Sequence, residues 1–443
     1  MRNLKYYILF FAGILLMPSC LHEEEDIFGK SASERLNEAQ LLYEKILTTP
    51  SKGWVLEYIA GDTDATRRGA FNYLLKFENG EVTAAVDQNA LYDIAPAIDP
   101  YTQITSYYKL EQDMSITLSF DTYNSFLHYY HEQHGSYTTY KGDFEFTIME
   151  AYDDLVILRG KKYGNIMEMH RLADDVTWDE YLQDVNTVYN QSLDYPEFSI
   201  FSGANVIAKG SVLETRQFSF SYENVDYLKS VIYTTTGLKF LEPLVVEGKE
   251  AQNFVWDVAS ATFTCTDNGA TGIVIQMTIP AEYVKYSEYL GTYTFKYTNL
   301  SGVVYNETIN LVQHVNGRSY IAENFTKGIT GAVTILQFDK STARLCIGAH
   351  TVLSVGTDDN YNLYPMIMPP TGTAGNFYAG LGDAYGRFWG GKLTSTGLIS
   401  MTRDPSGSLT NVTAGFRVIR RQGTSNYGTN AANSYTDMSF QKQ

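Results

Sequence analysis

The chain is 443 residues long, 44% of them apolar, and carries a formal net charge of −17. That length suits two or three domains with sizeable cores, and the acidic balance disfavours nucleic acid and anionic lipid as partners. Three cysteines are too few for a disulfide framework, and the chain carries no nucleophile elbow, phosphate loop or dinucleotide fingerprint.

Arg2 and Lys5 precede an apolar run from Tyr6 to Met17, too short to span a bilayer as a helix. The run ends at Met17-Pro18-Ser19, and Cys20 follows directly. A short apolar segment, a small residue and then a cysteine read as a bacterial lipoprotein signal over 1–19, cut before Cys20 and acylated there. Met17 and Pro18 depart from the commoner Leu-Ala pattern of such signals. Acylation implies anchoring to the outer membrane. The acidic run Glu23-Glu24-Glu25-Asp26 within residues 20–30 forms a tether. It resembles the surface-export signal of Bacteroidetes lipoproteins, which implies exposure at the cell surface.

Residues 31–49 have the pattern of an amphipathic helix. Ser31 and Glu34 have capping-box spacing, and Leu36, Ala39, Tyr43, Ile46 and Leu47 recur on one face before Pro50 and Gly53. From Gly53 to Leu172 the apolar period becomes two. Asn79-Gly80 between Tyr73–Phe77 and Glu81–Ala84 is a hairpin signal. Strands are also predicted over 54–58, 106–110, 115–120, 144–149, 155–158 and 166–171. A second helix is predicted over 175–190, opened by Thr177 and Glu180 at capping-box spacing. Strands resume from 198 to about 279, and a third β segment runs from 289 to 421.

The expected fold is therefore mainly β: antiparallel, barrel-like domains with two short helices, one N-terminal and one between domains. The domain boundaries read as 31–172, 173–284 and 285–421, the last a barrel or sandwich. Residues 422–443 read as a polar, frayed tail.

Several motifs then coincide in order: Ser33-Glu34-Arg35-Leu36-Asn37-Glu38-Ala39, Gly53-Trp54, Phe120-Asp121-Thr122-Tyr123-Asn124, Gly142-Asp143-Phe144-Glu145-Phe146, Leu158-Arg159-Gly160-Lys161-Lys162-Tyr163-Gly164, Thr235-Thr236-Gly237-Leu238-Lys239-Phe240 and Asn253-Phe254-Val255-Trp256-Asp257. Over about residues 20–280 the chain resembles the DUF4302 family of Bacteroidetes lipoproteins. The resemblance implies a cell-envelope lipoprotein of a kind found beside TonB-dependent importers and their substrate-binding lipoproteins. The family is uncharacterised and supplies no catalytic residue. The C-terminal segment is similar to barrel modules of comparable lipoproteins.

Three of the seven histidines fall in His128-Tyr129-Tyr130-His131-Glu132-Gln133-His134. On a helix His128, His131 and His134 share a broad face, a donor set suited to zinc, nickel or copper. The spacing is not that of the zincin helix, and a solvated loop accounts for it as well. Asp121 and Asp143 are candidates for a carboxylate pair, with loop capping as the plainer role. Tyr385, Arg387 and Trp389, set among glycines, could meet a sugar or peptide. No cofactor is implied. Cys265 and Cys346 could pair or remain small buried thiols.

The combined expectation is a non-catalytic, lipid-anchored accessory protein of an outer-membrane uptake system for glycan or peptide. The alternatives are an interaction subunit that contacts partner lipoproteins without a small ligand, and, below it, a carboxylate hydrolase.

Overall fold

A computed structural model describes residues 30–67, 69–94, 99–134, 138–213, 215–299, 301–325, 334–348, 352–355, 359–366, 387–403, 415–422, 425–428 and 434–443. Cys20, the acidic tether before Lys30, and Tyr385 lie outside the described residues.

The first helix, α1 (Ala32–Thr48), starts at the predicted capping box. Glu34 N donates to Ser31 Oγ at 3.3 Å, and Ser31 N donates to Glu34 Oε2 at 2.9 Å. The N-terminal sheet then uses β1 (Trp54–Ala60), β2 (Gly69–Glu78), β3 (Glu81–Val86), β4 (Ile104–Tyr107), β5 (Lys109–Gln112) and β6 (Ile116–Ser119). A separate two-stranded ribbon, β7 (Gln133–His134) and β8 (Thr138–Thr139), comes before β9 (Glu145–Ala151), β10 (Leu155–Gly160) and β11 (Ile166–Arg171). The β2–β3 hairpin turns on Asn79 and Gly80, with φ of 53° and 80°, and Glu78 faces Glu81. Both turn residues are left-handed, as the two-residue turn requires.

The sheet order is β4-β3-β2-β1-β11-β10-β9-β6-β5. Although β4 and β5 are consecutive in the chain, they hold opposite edges, pairing with β3 and β6 respectively. Only Tyr108 separates them, so one bent strand stitches the two edges and curls the sheet. The sequence predicts a single strand over 106–110; the bend at Tyr108 splits it. Trp54, Tyr58, Tyr73, Phe77 and Phe120 fill the concave side. Ile46 and Leu47 of α1 close it, and Trp54 Nε1 donates to Leu47 O at 2.9 Å. Two helices beyond the two expected are short: α2 (Gln88–Ile94) and α3 (Ser125–His128).

The interdomain helix α4 (Trp178–Ser192) opens on Thr177 and Glu180, whose side chains cap each other's backbone as predicted. Leu182, with Trp178 and Tyr181, packs against Val55, Leu74 and Ala85 on the outer side of the N-terminal sheet. Val185, Val188 and Tyr189 pack into the next domain's core. One helix therefore belongs to two cores.

That next domain is a closed barrel of eight strands: β12 (Glu197–Ser202), β13 (Asn205–Leu213), β14 (Gln217–Tyr222), β15 (Val225–Tyr233), β16 (Gly237–Val246), β17 (Lys249–Asp257), β18 (Thr262–Cys265) and β19 (Ile273–Thr278). Closure is by β12 against β19, Phe198 facing Met277. Phe198, Phe218, Phe240 and Phe254 run along the interior in tilted and edge-to-face contacts, with ring centres 4.9, 5.6 and 5.6 Å apart. An eight-stranded barrel has room for side chains and little else. Packing is tight enough that a Cβ added at Gly237 would lie 1.8 Å from Phe254 O.

The third domain begins at the 3-10 turn Tyr286–Tyr289. Its strands are β20 (Gly291–Thr298), β21 (Val304–Val315), β22 (Ser319–Glu323), β23 (Thr334–Asp339), β24 (Arg344–Gly348), β25 (Val352–Val355), β26 (Asp359–Met366), β27 (Arg387–Gly391), β28 (Leu398–Ser400), β29 (Thr402–Arg403), β30 (Gly415–Gln422), β31 (Ser425–Gly428) and β32 (Ser434–Lys442). Along β32-β20-β21-β22-β23-β24-β27 the sheet curls. The Leu393–Ile399 bridge and the β28–β32 pairing bring it back on itself, which favours the barrel over the sandwich. Tyr293, Phe295, Tyr297, Tyr320, Tyr435 and Phe440 fill it. The expected frayed tail is corrected here: β32 pairs with β20, Phe440 facing Phe295 across the middle of the domain. Phe440, Met438 and Tyr435 supply the apolar side that a polar composition conceals.

Candidate functional site

The polar chemistry with the most structure around it lies where the N-terminal sheet, α4 and the closed barrel meet. Asp87, wholly buried, ends β3 and caps α2: Asn89 N and Ala90 N donate to its Oδ1 at 3.2 and 3.0 Å. Asn72 N donates to Oδ2 at 2.9 Å. Arg216 reaches in from the barrel, its Nη1 and Nη2 donating to the two carboxylate oxygens at 3.1 and 3.0 Å. Nη1 also donates to Ala70 O at 2.6 Å.

The Arg216 guanidinium lies 5.0, 5.1 and 5.5 Å from the ring centres of Phe71, Tyr189 and Tyr233. Those three rings come from the sheet, α4 and the barrel. Arg216 itself has φ of 56°, an unusual conformation for a non-glycine residue. Asn72 continues the network, donating to Tyr233 O at 2.9 Å and accepting from Tyr181 OH at 3.1 Å. Burial raises the Tyr181 phenol and pushes Tyr233 up to about 12, so both phenols stay protonated, Tyr181 donating to Asn72 and Tyr233 accepting from Ser192 Oγ at 3.3 Å. Asp87 is saturated by donors and has no lone pair to spend as a general base. This centre holds the domains together.

A second centre lies on the outer side of β1 and β11. Val55 faces His170 and Leu56 faces Met169, and one step further the register sets Glu57 opposite Glu168. Like charges directly opposite are destabilising. Lys239 of β16 relieves them, its Nζ 2.9 Å from Glu57 Oε2 and 2.9 Å from Glu168 Oε2. His170 Nε2 stands 3.1 Å from Glu168 Oε2 and 3.9 Å from Glu57 Oε1. Burial pushes the Glu168 carboxyl up, but Lys239 and His170 outweigh it and hold it below the usual carboxylate range. Burial pulls the Lys239 ammonium down, and the two glutamates more than offset it.

Of the residues singled out from sequence, the histidines are separated in role. His128 closes α3, with Nδ1 3.0 Å from Asn124 O and its ring 4.9 Å from that of Phe144. His131 Nδ1 lies 3.2 Å from Gly142 O. These contacts stitch the α3 turn to the 142–144 segment. The backbone of His134 lies in β7, and its side chain lies outside the described residues. Among the described residues the triad of metal-capable side chains that converges is Glu57, Glu168 and His170.

Trp389 is 7% exposed and packs in the third core, so it does not present a face to a ligand. Arg387 starts β27, its side chain outside the described residues, as is all of Tyr385. Asp121 and Asp143 do not form a carboxylate pair with each other. Asp121 is exposed and pairs with Lys109 at 2.9 Å. Asp143 is buried and accepts from Lys162 N at 2.9 Å and Tyr163 N at 3.3 Å, tying down the β10–β11 turn. Cys265 and Cys346 are not bridged to each other; both thiols are buried, in different domains.

Sequence reasoning missed the roles of Arg216, Asp87, Glu57 and Glu168, which sit in no motif, and of Lys239, which stands in Thr235-Thr236-Gly237-Leu238-Lys239-Phe240 with nothing local to mark its charge as paired. One signal was present: Trp54-Val55-Leu56-Glu57-Tyr58-Ile59-Ala60 is apolar on both strand faces except at Glu57. A strand apolar on both faces is covered on both, so a lone charge in it must meet a partner.

Among the described residues no helix is long and apolar enough to cross a membrane. No curated protein matches the chain, and no solved structure matches it. Two family models do. One, described as a domain of unknown function (DUF4302), matches residues 24–258, and another domain of unknown function, DUF4987, matches residues 266–382. The first match stops within the barrel, before β18, and the second starts before β19. With the first model spanning more than half of its length, the chain belongs to the DUF4302 family.

Proposed function

We propose that the protein is a non-catalytic lipoprotein of the cell envelope, anchored to the outer membrane through acylated Cys20. It acts as an accessory of a nutrient-uptake system, glycan or peptide, by contact with partner proteins at the cell surface. The observation that carries the contact mode is the filled interior of the closed barrel, where Phe198, Phe218, Phe240, Phe254 and Phe263 leave a core and not a cup. Lipocalin-sized barrels that hold a ligand keep that space open. The buried polar groups of the chain serve structure: Asp87 and Arg216 satisfy each other across two domains, and Asp143 secures a turn.

The importer and its substrate-binding lipoprotein are proposed from the resemblance of the sequence to lipoproteins found beside such systems. The anchor rests on the Tyr6–Met17 run and Cys20.

The test is a pull-down of the lipidated chain from native outer membranes, with a Cys20→Ser control. Recovery of a TonB-dependent importer or its lipoprotein partner with the lipidated chain supports the reading. A partner-free monomer that binds a glycan or peptide by itself overturns the contact mode. Failure of acyl incorporation in the wild-type chain overturns the anchor.

A further inference from the structure

We propose that Glu57, Glu168 and His170 form a binding site for a divalent transition-metal ion of the zinc class, at which Lys239 serves as the competing internal cation. Their ligand atoms all lie within 4.8 Å of one another. Ligands about 2.0–2.1 Å from a tetrahedral zinc stand about 3.3 Å apart. The separations of His170 Nε2 from the two carboxylates, 3.1 and 3.9 Å, bracket that edge. One imidazole and two carboxylates are a donor set that zinc accepts.

The backbone builds the set before any ion arrives. Glu168 and His170 are two residues apart on β11 and share a face, and Glu57 is delivered to the same face by the neighbouring strand β1. Two glutamates on facing positions call for positive charge between them. Lys239 supplies it from the barrel, bonded to both carboxylates at 2.9 Å. A metal ion taking the three ligands releases this ammonium, so binding is in direct competition with a contact between the N-terminal sheet and the barrel. The side chains of His170 and Glu168 are 45% and 40% exposed, which gives an ion a route in.

The experiment is calorimetric titration of zinc into the untagged full chain, with Lys239→Met and His170→Ala beside it and circular dichroism to verify folding. The expected result is one zinc bound per wild-type chain. Affinity should tighten by about tenfold or more in Lys239→Met, because a monovalent cation no longer competes for the same carboxylates. Binding should be lost in His170→Ala, a half-exposed position whose truncation spares the Lys239 contacts. No binding by the wild type, binding confined to Lys239→Met, or binding unchanged in His170→Ala would each overturn the proposal. None of these outcomes bears on the anchor or on partner recovery.

Discussion

His128 shows how a residue that invites a functional reading earns its place by packing. Burial pulls its imidazole below the ordinary histidine value, against the opposing pull of the Asn124 and Phe120 backbone contacts. The folded protein therefore prefers the neutral ring. As pH falls through about 6.5 the unfolded chain takes up a proton that the folded chain refuses, and stability is lost. Above that value the contribution is fully present. Chemical denaturation at pH 7.5 and 5.5 should show a drop that is smaller in His128→Gln; equal drops would assign the acid sensitivity elsewhere. The histidine spacing was visible in the sequence, but its purpose was not, because Phe144 and the Gly142 carbonyl that occupy these rings are brought in by the return of the chain. Trp389 teaches the same lesson: glycine neighbours made it look displayed, and β27 pairing buries it.

At the level of elements, local signals proved the most readable. Both capping boxes and the Asn79-Gly80 turn stand where their spacing put them, since each is decided within four residues of chain. Thr177→Ala should cost about 1 kcal/mol in global stability, measured by denaturant melting; a cost near zero would mean that α4 is held by its two cores alone. The bend at Tyr108 was illegible for the opposite reason. Nothing local distinguishes a strand that pairs along its length with one neighbour from one that gives its halves to two. Here Tyr108 N donates to Gly80 O at 3.1 Å and its hydroxyl donates to Glu44 Oε1 at 2.7 Å, anchoring the corner between the hairpin and α1. The short α2 and α3 are set by Asp87 and Asn124 caps in a sequence otherwise patterned as strand. The tail was misjudged because Asp437, Ser439 and Gln441 make the stretch read as polar, while Met438 and Phe440 between them reach the core.

At the scale of the whole molecule, the junction between sheet and barrel depends on charges far apart in sequence. Arg216→Ala should destabilise by about 3–5 kcal/mol, because it strands Asp87 in the interior. The double variant Arg216→Met, Asp87→Asn, which removes the stranded charge and keeps an acceptor for the Asn89 and Ala90 backbone, should recover part of that loss. Calorimetry reads both effects, and a double variant as unstable as Arg216→Ala would place the cost in lost aromatic stacking instead. With α4 shared by two cores, the N-terminal sheet and the barrel should melt together in the wild type. Such couplings have no motif, so the sequence reading reached the β class and the helices but stopped short of the joints.

The barrel closes only when β19 reaches β12, and β19 lies beyond residue 258, where the family match ends. A fragment trimmed to that match would carry β12 and β17 as raw edges, with unpaired backbone groups and the rims of Phe198 and Phe254 open to neighbouring molecules. Edges of that kind recruit other chains into sheets. For this protein the inherited unit of sequence and the smallest closed fold are different lengths, and the extra residues are what seal the barrel's two edges.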